Sequence, residues 1–202
     1  MDNGKEDAIE MNLNTAFEAG FSNAARALSQ IIQENVYCNS FHHARNSSET
    51  DRLIDTAFIK PGNSQVLVTT EVFGEVSGKS YLLLDEQEFE ILTNGITSGN
   101  SSHTEIKIEF IKELDNILSA AVITKLSNHL GLKMYGNIPR WVGRLESGIV
   151  DLIRNDFNEE NARAYISSAY FSLDAYPHVR PLFIWVMNGK ILQTEQIQLV
   201  KL

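Results

Sequence analysis

Two segments of this chain line up with each other across half its length, and that alignment constrains the fold more than any single motif. Ala24-Ala25-Arg26-Ala27-Leu28-Ser29 lies against Val122-Ile123-Thr124-Lys125-Leu126-Ser127, so that Leu28 answers to Leu126 at an offset of 98. Each segment sits in a long stretch of helical period, and each stretch is followed by extended segments, a hairpin and further helix. Identity between the halves is low, so the repeat rests on order and spacing. A half-chain alone would leave one face of its sheet or helix uncovered, and the other half can cover it. The economical reading is one domain over all 202 residues, built from pseudo-repeats at about 11–98 and 105–202.

The elements follow from local pattern. Leu13, Ala16, Phe17, Gly20, Ala24, Ala27, Leu28 and Ile31 recur at three- and four-residue steps, which predicts a helix over 13–36. His43 to Asp51 reads as loop between short strands. Gln65–Phe73 and Tyr81–Leu84 are rich in β-branched and apolar residues, with Gly74, Ser77 and Gly78 between them, so a hairpin is expected. Asp85 with Glu88 three residues on predicts a capping box opening a short helix through Leu92. Thr97-Ser98-Gly99-Asn100-Ser101-Ser102 reads as a flexible linker.

The second half predicts a helix from about Glu105 to Leu130 with Gly131 as its stop. Lys133 to Trp141 then reads as extended, and Pro139 confines it to an edge or a loop. Helix is expected over 145–153, and Ala164–Leu173 with Arg180–Met187 form a second hairpin-like pair. The tail from Ile191 leans to helix. Phe183-Ile184-Trp185-Val186 reads as core strand, since no basic residues interleave to hold nucleic acid. The fold class is α+β, with two related halves, long helices on a mainly antiparallel sheet and an approximate internal two-fold.

Charge and composition narrow the function. A net charge of −9 and a pI near 5.0 argue against nucleic acid or an anionic membrane as partner. No run approaches the roughly 18 apolar residues of a membrane span. Cys38 is the single cysteine, which excludes an internal disulfide and fits a reducing, cytoplasmic setting. The N-terminus lacks the basic and apolar regions of a signal peptide. His42 and His43 are neighbours in an extended segment, where alternate residues face opposite ways, so they do not converge on a metal. Cys38 reads as a half-buried thiol, and Gly74 to Gly78 as a turn rather than a phosphate loop.

The stretch from Lys112 to Ala120 carries the candidate chemistry. On a helix, Glu109, Glu113, Asn116 and Ala120 fall within roughly 60° of arc, while Phe110, Leu114, Ile117 and Ala121 point elsewhere. A carboxylate and a carboxamide one turn apart, ending in a small residue, make a surface that another molecule can approach closely. On spacing alone a solvated helix face is the default reading. Asp115 falls on the helix shoulder, where an extra negative charge would repel an acidic partner.

Lys112-Glu113-Leu114-Asp115-Asn116-Ile117-Leu118-Ser119-Ala120 and the run on to Leu126-Ser127 resemble the second signature helix of the CheC family of bacterial chemotaxis proteins. That family carries an acid or Ser, then Glu four residues on, then Asn three further, then small residues and Leu-Ser. Here the series is Glu109, Glu113, Asn116 and Leu126-Ser127. Gly131-Leu132-Lys133 and Pro139 are similar to the family as well. Asn23-Ala24-Ala25-Arg26-Ala27-Leu28-Ser29 is similar to its first signature helix. The family usually has Gly where Asp115 stands. In the first helix the pattern is broken: Thr15 and Glu18 occupy the positions matching Glu113 and Asn116, and Ser22 matches Ala120.

The resemblance implies a phosphatase for the aspartyl phosphate of a CheY-type response regulator, with Glu113 and Asn116 as its site. Asn116 would orient the attacking water and Glu113 would pair with a lysine of the regulator. Ala120 leaves room for approach, and Glu109 is an interface charge or a plain solubilising one. No cofactor is expected on this chain; magnesium would belong to the regulator. Thr15 and Glu18 would mark a degenerate first site. The alternative is a non-catalytic CheC-like adaptor that binds phosphorylated CheY, the receptor deamidase CheD, or both, and a flagellar-switch component is a more distant possibility. Monomer or weak dimer is expected.

Overall fold

The computed structural model describes residues 3–44, 65–94, 104–145, 152 and 164–193. Helix α1 spans Asn3–Ile32 and is followed by strands β1 (Val36–Ala44), β2 (Gln65–Gly74) and β3 (Gly78–Asp85). Helix α2 (Glu86–Thr93) and the long helix α3 (Thr104–Leu130) come next. Strands β4 (Met134–Gly136), β5 (Arg140–Leu145), β6 (Ala164–Leu173) and β7 (Leu182–Asn188) complete the sheet, before a 3₁₀ turn over Gly189–Gln193. The fold is α+β, as expected.

All strand pairs are antiparallel, in the order β1-β6-β7-β3-β2-β4, with β5 also pairing β2. Each long helix is followed by strands of which the last, β3 or β7, lies in the middle of the sheet. Those two pair there, from Gly78 opposite Met187 to Leu83 opposite Leu182. Helices α1 and α3 pack against each other over the sheet. Gly20 lets them approach: a Cβ there would stand 3.1 Å from Val122 Cγ1. Beside it the Asn23 amide donates to the Ala121 carbonyl at 3.3 Å.

The main core lies between these helices and one sheet face. Alternate residues Val66, Val68 and Val72 of β2 and Leu82 and Leu84 of β3 point into it, joined by Phe17, Phe21, Leu118 and Val122. The intervening residues Leu67, Tyr81 and Leu83 form a second cluster on the opposite face with Ile166, Leu182 and Ile184. Two-sided burial explains why β3 and β7 read as near-continuous apolar runs. Trp185 is fully buried, with ring contacts to Phe17 and Phe183, so the Phe183–Val186 segment is core strand.

Local signals were decisive where they were strongest. The capping box is present: Asp85 accepts from the Glu88 N–H at 2.8 Å, and Glu88 accepts from the Asp85 N–H at 2.8 Å. Gly131 ends α3 at a φ of 68°. Pro139 separates β4 from β5, both lying on the outer side of β2. Boundaries moved elsewhere. Helix α1 begins ten residues before Leu13 and stops at Ile32, because Gln33 takes a φ of 57° and Val36 already opens β1. His43 and Ala44 belong to β1 rather than to a loop, held by pairing with Ser167 and Ile166. Leu145 ends β5, so the helix expected from it does not begin there. The rest of that helix apart from residue 152, the 97–102 linker and the tail beyond 193 lie outside the described residues.

Candidate functional site

Helix α3 presents Glu109, Glu113, Asn116 and Ala120 to solvent as one stripe. Neither Glu113 nor Asn116 has a hydrogen-bond or ion-pair partner among the described residues. Both head groups are therefore free to meet another molecule. Glu109 is engaged locally: Lys112 donates to its two carboxylate oxygens at 2.9 and 3.0 Å. At such exposure the pair adds little stability, but it balances the Glu109 charge beside the stripe. Ala120 is exposed, and its carbonyl accepts from the Thr124 hydroxyl at 2.7 Å.

The buried face of α3 differs from the one expected. Ile111, Leu114, Leu118, Val122, Ile123, Leu126 and Leu130 are its buried apolar residues, whereas Phe110, Ile117 and Ala121 are only partly buried. The helix is seated with its 111–115–118–122 row turned inward, Asp115 toward β2 and Val122 toward Gly20 of α1, and Phe110 and Ala121 pack from the flank. Asp115 falls in that row. It is fully buried, not on the shoulder, and adds no surface charge beside the stripe. The signal was in the sequence: Asp115 stands four residues after Ile111 and three before Leu118.

Beneath the stripe runs a short polar seam. The Thr70 hydroxyl on β2 donates to Asp115 Oδ2 at 2.6 Å, and Ser119 and Ser80 share a 3.0 Å hydrogen bond between α3 and β3. Asp115 Oδ1 has no partner among the described residues. Burial lifts the Asp115 carboxyl to about 7, with the Thr70 hydrogen bond opposing the shift in part. The folded value exceeds the unfolded one, about 3.9, so between those limits the native state holds more protons. The contribution of Asp115 to stability is then greatest in acid, falls as pH rises from about 4, and levels off above about 7. Asp115→Asn should flatten this slope and gain a few kcal/mol, on the order set by the shift, above about pH 7. Urea unfolding at about pH 5 and about pH 8 checks it, and an unchanged slope would count against it.

The first-half positions are equally exposed. Thr15, Glu18 and Ser22 form a stripe on α1 with Met11, which is 59% exposed. The Thr15 hydroxyl turns back to donate to the Met11 carbonyl at 2.9 Å. Glu18 Oε1 stands 3.6 Å from His43 Nε2, an electrostatic approach too long for a hydrogen bond. On the other ring nitrogen, Ser167 Oγ lies at 2.9 Å and the Tyr165 hydroxyl at 3.1 Å; Tyr165 also donates to Asn14. Burial pushes the His43 pKa down, with Glu18 pulling it up. Sequence reading did not foresee this cluster, because β1, β6 and α1 bring it together from distant positions. Cys38 is half-buried, and burial pushes its thiol up to about 12, well away from a reactive thiolate. Among the described residues no three His, Cys, Asp or Glu side chains gather as a metal site. No helix there is long and apolar enough to cross a membrane.

No protein-family model matches the chain, and no curated protein does. Solved structures do resemble it. FliY of Thermotoga maritima is similar with a TM-score of 0.62 at 17% identity, over 96% of this chain and 94% of that one. The CheX-CheY-BeF3-Mg complex from Borrelia burgdorferi yields a TM-score of 0.50 at 16% identity, over 85% and 97%. The FliM middle domain from H. pylori gives 0.54 at 8% identity, over 96% and 99%. The chain thus has the CheC-like fold found among chemotaxis proteins of the CheC, CheX and FliY type.

Proposed function

We propose that this protein is a phosphatase for the aspartyl phosphate of a CheY-type response regulator, acting through Glu113 and Asn116. The observation that carries the reading is the free, solvent-facing pair on α3, one turn apart, with small Ala120 next along the stripe. The CheX-CheY complex on the same fold supports a regulator as partner.

An acyl phosphate is already activated, so little is needed beyond a water held in line with the phosphorus–oxygen bond. The Asn116 amide can accept from that water and donate to a phosphoryl oxygen without ionising. As the water oxygen bonds to phosphorus, the bond to the aspartate oxygen breaks. The products are a free carboxylate and inorganic phosphate, which keeps the water's protons. Glu113 pairs with a lysine of the regulator and fixes the two surfaces in register. Magnesium is held by the regulator, and this chain supplies no ligand to it.

The test is the decay of phosphorylated regulator with magnesium, with and without this protein; acceleration is expected. Glu113→Lys should weaken association about tenfold or more through charge reversal, read by titration against the regulator. Equal affinity would remove the role given to Glu113. Changing Thr15→Ala or Glu18→Ala should leave turnover within about twofold, since the α1 stripe lacks the acid–amide order. A large loss would show that the first stripe takes part.

A second reading is a binding protein of the same fold, sequestering the regulator or engaging CheD, or a part of the flagellar switch. The likeness to FliY and to the FliM middle domain favours it, as does the broken α1 pattern. Binding without faster decay would select it.

A further inference from the structure

An amide that aims water needs its helix held in one rotational setting. Apolar packing, with Val122 set against Gly20 of α1, fixes that setting only in part for α3. Ile106 is 47% exposed, Phe110, Ile117 and Ala121 are partly buried, and Ile111, Leu114, Leu118 and Val122 are buried, so apolar side chains occur around much of its circumference. Polar contacts single out one setting. Asp115 and Ser119, a turn apart, both face the sheet and meet Thr70 and Ser80. Those two are register partners across β2 and β3, and the Ser80 hydroxyl also reaches the Thr70 carbonyl at 3.5 Å. All four residues are buried. Rolling the helix by one residue position, about 100°, would break both contacts and leave the buried Thr70 hydroxyl without its carboxylate partner.

We propose that these two hydrogen bonds form a rotational lock, and that Asp115 is a positioning residue for Glu113 and Asn116. The proposal rests on the reading of that pair as the phosphatase site. Asp115 precedes Asn116 in the chain, so any displacement of its backbone carries the amide with it, and a shift of about 1 Å is costly in positioning. The lock is sensitive to proton loss. Asp115 Oδ1 is buried with no partner among the described residues, so a charged carboxylate carries a burial cost that the Thr70 hydrogen bond offsets only in part, and a shift toward water relieves it. Among the described residues no charged side chain contributes to its balance, which is set by burial and the Thr70 hydroxyl. From β2 and β3 the groups around the seam are Thr70 and Ser80, and on α3 itself Ser119, none of which titrates near neutral pH.

The experiment follows the saturating rate of regulator dephosphorylation for wild type, Asp115→Asn, Asp115→Leu and Thr70→Val, each first checked for folding by circular dichroism. Asp115→Asn keeps an acceptor for Thr70 and cannot ionise. It should match wild type at about pH 6 and exceed it by about threefold at about pH 8. Asp115→Leu should lower the saturating rate about tenfold, with half-saturating regulator within about twofold. Thr70→Val should lower it severalfold and serves if Asp115→Leu does not fold. Unchanged rates in folded Asp115→Leu or Thr70→Val, or the wild-type pH profile in Asp115→Asn, overturn the lock. Should wild type not speed decay, the site reading fails separately. Amide exchange over 113–120, corrected for intrinsic rate, then decides: it should rise between about pH 6 and about pH 8 in wild type but not in Asp115→Asn. Equal protection in both overturns the proposal.

Discussion

Asn116→Ala is expected to abolish most of the acceleration of regulator dephosphorylation, by about 10²-fold or more at saturation, while leaving binding within about twofold. The asymmetry follows from the geometry. Asn116 is exposed on a helix whose packing does not use it, so truncation should not disturb the fold. Its amide has no partner among the described residues, so no internal hydrogen bond is lost. What disappears is one group able to accept from water and donate to a phosphoryl oxygen together. Asn116→Asp would keep the shape but replace the donor with an acceptor, and should recover little. If Asn116→Ala dephosphorylates as fast as wild type, the chemistry lies elsewhere.

Trp185→Ala is expected to be the most damaging single change to stability, at about 3–5 kcal/mol. Trp185 sits on β7 in the middle of the sheet, with no exposed surface, and touches Phe17 of α1 and Phe183 of its own strand. Phe17 continues the contact to Phe21 and Tyr165. Truncation therefore opens a cavity where helix and sheet meet. The indole Nε1 has no hydrogen-bond partner among the described residues, so Trp185→Phe sheds an unpartnered donor along with some packing and should cost much less. Chemical denaturation of the three proteins gives the comparison; a loss below about 1 kcal/mol for Trp185→Ala would contradict the packing described.

The outer stripe was legible because it is a local property. Residues spaced by three and four share a helix face whatever the helix packs upon, and the polar character of Glu109, Glu113 and Asn116 directed that face to solvent. The capping box at Asp85 and Glu88, the Gly131 stop and the turn between β2 and β3 were legible for the same reason. Each depends on neighbours a few residues away. The setting of α3 was harder to read, because apolar residues lie around much of it and Asp115 reads as a surface residue by type. Its burial required a hydroxyl on another element, Thr70, 45 positions earlier. The Glu18–His43–Tyr165 grouping was hidden likewise, since its members lie on α1, β1 and β6 and meet only when β1 pairs with β6.

By itself the sequence determined the two long helices and the central strand pairs in outline, which face of α3 carries an acid and an amide, and that the first-half counterpart carries Thr15 and Glu18 instead. Tertiary structure alone decided that β7 and β3 meet in the middle of the sheet, that Gly20 brings α1 against α3, and that Asp115 lies sealed against Thr70. The division has a physical cause. Backbone propensity and helix periodicity act over a turn or two of chain, whereas burial and polar pairing depend on which distant groups packing brings within hydrogen-bond reach.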